Sequence, residues 1–378
     1  MKPPPLGLYI HLPWCERKCP YCDFNSHEQR DLPQSEYVSA LLQDFERDVA
    51  LAGHRTINSI FIGGGTPSLF SAQSIQALIS GVRERADLHP EAEITLEANP
   101  SSAEAEKFAG FREAGVNRLS LGVQSFDNAC LGALGRVHNS EQAIAATQFA
   151  RKAQFSSVNL DLMHGLPGQS PEAAQKDLQT ALDIHPDHLS WYQLTIEPNT
   201  VFYSKPPVLP AEEHLADIQS AGEEFLSGRG YQRYEVSAYA RAEQRCQHNT
   251  NYWTFGDYIG IGAGAHGKIS FSDGRVQRYG KRRQPADYLS KENESFIASR
   301  RWLTAEELPG EFVMNALRLR EGFSLQLYRE RTGLDNEVLK PVLQRLCDRG
   351  LLQCSAGRVA TTDLGYQFLD TVIAEFFP

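Results

Sequence analysis

Three cysteines stand on one short stretch near the start of the chain, Cys15, Cys19 and Cys22, spaced C-x3-C-x2-C. An apolar run, Leu8 to Leu12, leads into them like the end of a buried strand. Pro13 and Pro20 then interrupt regular pairing, so the thiols fall on a loop just past that strand. Three thiolates on one loop can serve a soft metal centre. A disulfide framework suits them poorly, because the number is odd and the composition does not suggest an oxidising compartment. Structural zinc would need a fourth ligand, with His11 or His27 nearest, but such loops usually come as two knuckles. C-x2-C occurs nowhere else in the chain. A [4Fe-4S] cluster normally takes four cysteines, so three leave one iron open to an outside ligand.

The elements that must position this loop repeat one pattern from Leu6 to about Glu235. Apolar runs LYIHL, SIFIGG, EITLEAN, RLSLGVQ, SVNLDLM and LSWYQLTIE alternate with amphipathic stretches such as YVSALLQDFERDVA and PEAAQKDLQTALDI. Ser71, Ser101 and Ser140 stand where N-caps are expected, and Gly115 closes the third helix. Six βα units in series predict a parallel α/β sheet, curled into an incomplete (β/α)6 TIM-like barrel or wound on both faces.

Polar residues collect at the carboxyl ends of those strands, the rim where such a barrel keeps its active site. Gly63-Gly64-Gly65-Thr66 ends the second, Glu97 the third, Gln124 the fourth; Asp161 lies in the fifth, and Thr195 and Glu197 end the sixth. Each has a plain alternative, a tight turn for GGGTP or a helix cap for Glu97. Together they read as one site, since a buried carboxylate is costly unless it is paired. GGGTP brings bare backbone close to a ligand, so its N–H and C=O groups can face it. Arg136, in the loop LGRVH, can fork onto a carboxylate.

Tyr9 to Phe24 reads YIHLPWCERKCPYCDF. It resembles the signature of the radical SAM superfamily, and within it the coproporphyrinogen-dehydrogenase branch. That resemblance implies a [4Fe-4S] cluster on Cys15, Cys19 and Cys22, with the amino and carboxylate groups of S-adenosylmethionine on the open iron. It also implies electron-driven cleavage of that cofactor to an adenosyl radical. By the same resemblance Tyr9, Tyr21, Gly64, Gly65, Thr66, Glu97, Gln124, Arg136 and Asp161 bind S-adenosylmethionine. The segment HNTNYW, His248 to Trp253, is similar to a motif that separates haem chaperones of this branch from the oxidase. It implies that the protein binds haem with His248 as an axial ligand and passes it to a haem-accepting protein, such as a membrane respiratory enzyme. The competing function is radical decarboxylation of coproporphyrinogen III. Two departures favour the chaperone: Phe24 stands where the oxidase has a fourth cysteine, and the arm before the first strand is short. A homodimer accords with the same resemblance.

The chain has 378 residues and a formal net charge of −10, with its basic residues dispersed, which argues against nucleic acid as a partner. No apolar run reaches transmembrane length and MKPPPLGLYI lacks a signal-peptide core, so a cytoplasmic protein is expected. Cys130, Cys347 and Cys354 are scattered and read as ordinary semi-buried thiols. Three divisions are expected: a barrel core over 1–235, a connecting segment with HNxxYW and a glycine-rich run over 236–302, and a winged-helix-like unit over 303–378. The basic run GRVQRYGKRR could meet haem propionates or be a solvated loop.

Overall fold

The computed structural model describes residues 3–290, 292 and 295–377. Six parallel strands follow one another in chain and in space. They are β1 (Leu6–Leu12), β2 (Ile57–Gly64), β3 (Leu88–Ala98), β4 (Arg118–Gln124), β5 (Ser157–His164) and β6 (His188–Gln193). In β1 the even positions Leu6, Leu8, Ile10 and Leu12 join the main hydrophobic core, while Gly7, Tyr9 and His11 turn the other way. That core is filled from outside by α1 (Gln34–Leu51), α2 (Ala72–Arg85), α3 (Ser140–Lys152), α4 (Pro171–Asp183) and α5 (Glu212–Ser227). The result is the partial α/β barrel expected.

Local signals decide most boundaries. Ser71 and Ser101 accept the backbone N–H three residues on, as N-caps do. Ser140 does not cap. Asn139 takes that role and forms a full capping box with Gln142, moving the helix start by one residue. Gly115 ends its helical stretch at φ +108°. β6 stops at Gln193, so Thr195 and Glu197 lie beyond it and not at its end.

The sheet does not stop at six strands. β7 (Gln232–Arg233) and β8 (Ala238–Ala240) add antiparallel partners beyond β6. On the other side β9 (Asp257–Ile261) pairs parallel to β1, so β1 lies between β2 and a strand from the far half of the chain. β10 (His266–Ser270), β11 (Val276–Lys281) and β12 (Ile297–Trp302) continue antiparallel, giving the order β12-β11-β10-β9-β1-β2-β3-β4-β5-β6-β8-β7. Buried ion pairs pin this extension. Lys281 Nζ meets Asp44 at 2.5 Å and Asp48 at 2.6 Å on α1, and Lys268 Nζ meets Asp257 at 2.8 Å. Arg278 pairs with Glu311 at 2.6 Å. The run GRVQRYGKRR therefore spends Lys281 and Arg278 on packing and leaves neither to a propionate.

Residues from Leu303 onward form α7 (Leu308–Ala316), α8 (Leu325–Thr332) and α9 (Lys340–Asp348), then the hairpin β13 (Leu352–Ser355) and β14 (Arg358–Thr361). Their core includes Phe255 and Val276 from the preceding segment. Cys130 is buried, whereas Cys354 is exposed with its sulfur 3.1 Å from that of Cys347. No helix among the described residues is long and apolar enough to cross a membrane.

Candidate functional site

The cysteine loop is held from two sides. Trp14–Cys15 pairs with His27–Glu28. The Asn25 amide donates to the carbonyls of Ala263 and Arg283, both at 2.9 Å. The glycine run after β2 is stitched to the same loop. Gly65 N–H donates to Leu12 O and Thr66 N–H to Trp14 O, each at 2.8 Å, while Gly64 N–H donates to Glu97 at 3.0 Å. A Cβ on Gly65 would lie 2.4 Å from Trp14 O, so only glycine fits. These three N–H groups are consumed within the protein, which corrects the expectation that they face a ligand.

A cavity of 340 Å³ opens between this loop and the strand ends. Cys15, Cys19, Cys22, Tyr21, Gly64, Gly65, Thr66, Glu97, Gln124, Arg136 and Asp161 all line it. Burial pushes the thiols of Cys15 and Cys22 up, so a bound metal is what would hold them as thiolates. Thr66 Oγ1 donates to Cys15 Sγ at 3.6 Å, and an Arg136 nitrogen to Cys19 Sγ at 3.5 Å. Arg136 also reaches Asn99 Oδ1 at 2.6 Å and Gly122 O at 2.7 Å, yet its buried Nε has no partner. Burial opposes its charge, and Tyr21 and Cys19 more than offset that. A guanidinium beside three thiols suits an anionic group next to a cluster.

The opposite wall is acidic. Burial, then the nearby Asp161, pushes Glu97 up to about 8, and Gly64 N–H pulls against them. Asp161 is raised by burial and restrained by hydrogen bonds from the residues around it. Such a wall favours a cation. Gln124 sits at φ +70° and accepts the Tyr192 hydroxyl on Oε1 at 2.9 Å, which leaves its NH2 to donate.

Tyr9 does not line the cavity; its hydroxyl meets His11 Nδ1 at 2.9 Å. His11 Nε2 meets Asn25 O at 2.9 Å, so both its nitrogens are occupied and it cannot be a fourth zinc ligand. His27 does not line the cavity either. The three thiols face one cavity without meeting at a point. Among the described residues no three His, Cys, Asp or Glu side chains are close enough to hold a single ion. A cluster takes each thiolate on a different iron, and the donor set fits that group.

His248 requires a larger correction. It is 1 % exposed within α6 (Gln247–Trp253), on the inner face of the barrel. Nδ1 meets Ser59 Oγ and Nε2 meets Tyr252 OH, both at 2.9 Å, and burial lowers its pKa to about 3. With neither nitrogen free, His248 does not present an axial ligand in this structure.

Asn99, Ser120, Ser190 and Tyr192 also line the cavity and were missed in the sequence. Ser120, Ser190 and Tyr192 are inward positions of β4 and β6, which strand alternation could have found once the registers were known.

Known proteins give the arrangement its class. The Radical SAM superfamily profile matches residues 9–181, and that of the HemN C-terminal domain matches residues 303–368. The structure is similar to that of coproporphyrinogen III oxidase (HemN) from Escherichia coli, described as a radical SAM enzyme. The TM-score is 0.83 at 25% identity, covering 99% of this chain and 90% of that one. The fold is thus that of a radical SAM protein. Relatives narrow the class. Heme chaperone HemW of Escherichia coli (strain K12) is 49% identical over 377 residues, 100% of this chain and 99% of that protein. Heme chaperone HemW of Haemophilus influenzae is 45% identical over 380 residues, with 99% and 98% covered. The chain belongs to the HemW family.

Proposed function

We propose that this protein is a haem chaperone that carries a [4Fe-4S] cluster on Cys15, Cys19 and Cys22, binds S-adenosylmethionine beside it, and passes haem to an acceptor protein. The observation behind this reading is one cavity that joins three thiols to a guanidinium and two carboxylates, on a chain similar end to end to heme chaperone HemW of Escherichia coli. When bound, such a cluster supplies an electron and one open iron. The chain supplies the rest. Arg136 takes the cofactor carboxylate with its guanidinium, and Glu97 accepts from the cofactor amino group. Asp161 and the Gln124 amide group take the ribose hydroxyls, while Tyr21, packed against Phe202, closes one flank. Phe24, 64 % exposed at the cavity lining, offers no thiol where the oxidase has a fourth cysteine. A reducing cytoplasm suits the exposed free thiol of Cys354.

The test is to add haem to anaerobically reconstituted protein and follow the Soret band, with a coproporphyrinogen III assay on the same sample. Haem uptake, transfer to an apoprotein acceptor and no decarboxylation are expected. Catalytic formation of protoporphyrinogen IX would overturn the reading in favour of the dehydrogenase.

A further inference from the structure

Below the cavity, a line of buried polar side chains crosses the barrel. Asp161 accepts from Asn159 Nδ2 at 2.8 Å on one oxygen and from Ser120 Oγ at 3.0 Å on the other. Asn159 Oδ1 is 2.6 Å from His188 Nδ1, and His188 Nε2 is 2.8 Å from the Tyr234 hydroxyl. Tyr234 in turn accepts from the backbone N–H of Cys246, the N-cap of α6. Asn159 and His188 are each 1 % exposed.

Chemistry gives this line a direction. Only the NH2 of Asn159 can face both a carboxylate and the Ser120 hydroxyl, so its oxygen points at His188. His188 must then carry its proton on Nδ1, since two acceptors cannot bond. Nε2 is left bare and accepts a hydrogen bond from the Tyr234 hydroxyl. Burial lowers the His188 pKa well below its ordinary value, which keeps the ring neutral and this tautomer fixed. Every side-chain donor in the line points toward Asp161. Asn159 and Ser120 hold the carboxylate from the wall side, Ser190 adds a third hydrogen bond, and the lone pairs that remain are left for the cavity that it lines.

We infer that Asn159 and His188 are positioning residues for Asp161, setting its carboxylate for the cofactor, and that Tyr234 extends their line to the head of the HNxxYW helix. This rests on the proposed S-adenosylmethionine site. Neither residue lines the cavity, so any effect they have on the ligand is exerted through Asp161.

The experiment is calorimetric titration of the reconstituted protein with S-adenosylmethionine, with iron and sulfide content and melting temperature measured on each variant. Asn159→Ser replaces two polar atoms with one shorter hydroxyl, which cannot reach both His188 and Asp161 as Oδ1 and Nδ2 do. His188→Leu breaks the line, whereas His188→Gln can still donate to Asn159 and accept from Tyr234. About tenfold weaker binding is expected for Asn159→Ser and His188→Leu at full cluster content, with near-wild-type affinity for His188→Gln. Tyr234→Phe, farthest from the ligand, should weaken binding least. A merely structural role would lower the melting temperature without this order of affinities. If His188→Leu does not fold, Asn159→Ser and His188→Gln decide the matter between them. Wild-type affinity in Asn159→Ser, alongside lost affinity in Asp161→Ala, overturns this inference and spares the site. No binding by the wild type would instead sink the site itself.

Discussion

At the scale of single residues, the thiols are the sharpest test. If the proposed cluster is there, Cys15→Ser, Cys19→Ser or Cys22→Ser each removes a bond to it, while Cys130→Ser removes only a packed sulfur. Iron and sulfide analysis is expected to find no stable cluster in the first three and a full complement in the fourth. Glu97 gives a pH signature. Held near 8 before a ligand binds, it is a neutral acid at neutral pH, whereas a cofactor amino group donating to it favours the carboxylate. Binding S-adenosylmethionine should therefore expel a proton. Affinity should rise with pH by up to about tenfold per unit and level off above about 8. Glu97→Gln should flatten that slope in calorimetry. Stability of the protein without cofactor runs the opposite way. A carboxyl raised from its usual value of 4.5 stabilises the fold fully below that pH, and the contribution is lost as pH climbs through 8. Melting temperatures across that window, wild type against Glu97→Gln, isolate the effect.

At the scale of elements, α6 explains why part of the site was readable and part was not. The thiols, the acids and Arg136 were legible because strand ends and a cysteine spacing are local signals. What His248 touches depends on where a seven-residue helix lodges, and that is settled by Ser59 on β2 and Glu93 on β3, far away in sequence. HNTNYW thus marks a helix packed into the barrel, with the imidazole as its anchor. His248→Ala would empty a buried space and leave the Ser59 and Tyr252 hydroxyls unpaired, a cost of about 2–4 kcal/mol. A lower melting temperature at full cluster content is the expected result. A changed Soret band of bound haem at an unaltered melting temperature would contradict the burial of this ring. Asn139 capping in place of Ser140 is a smaller miss of the same kind, since two good capping residues stand side by side and only geometry chooses.

The whole molecule is held together by pairings between distant parts of the chain. Phe255 and Val276 share a core with Phe312, Tyr328 and Leu346, and Glu311 takes Arg278 at 2.6 Å and Arg301 at 2.8 Å. A chain ending at residue 302 should expose that apolar face, bind a hydrophobic dye and melt earlier than the intact protein. The parallel β9–β1 pairing was invisible in the sequence for the same reason: periodicity reveals a strand but not its neighbour. It also sets a timetable. During synthesis β1, with the cysteine loop at its tip, emerges first, and one of its edges waits for Asp257 to Ile261 before it can be satisfied. Asn25 likewise has no carbonyls to clasp until Ala263 and Arg283 arrive. Contacts of such long separation form slowly, and an unpaired edge invites aggregation meanwhile. The cysteine-bearing end of the nascent chain is therefore among the last regions to mature, and the loop is clasped only when most of the protein has left the ribosome.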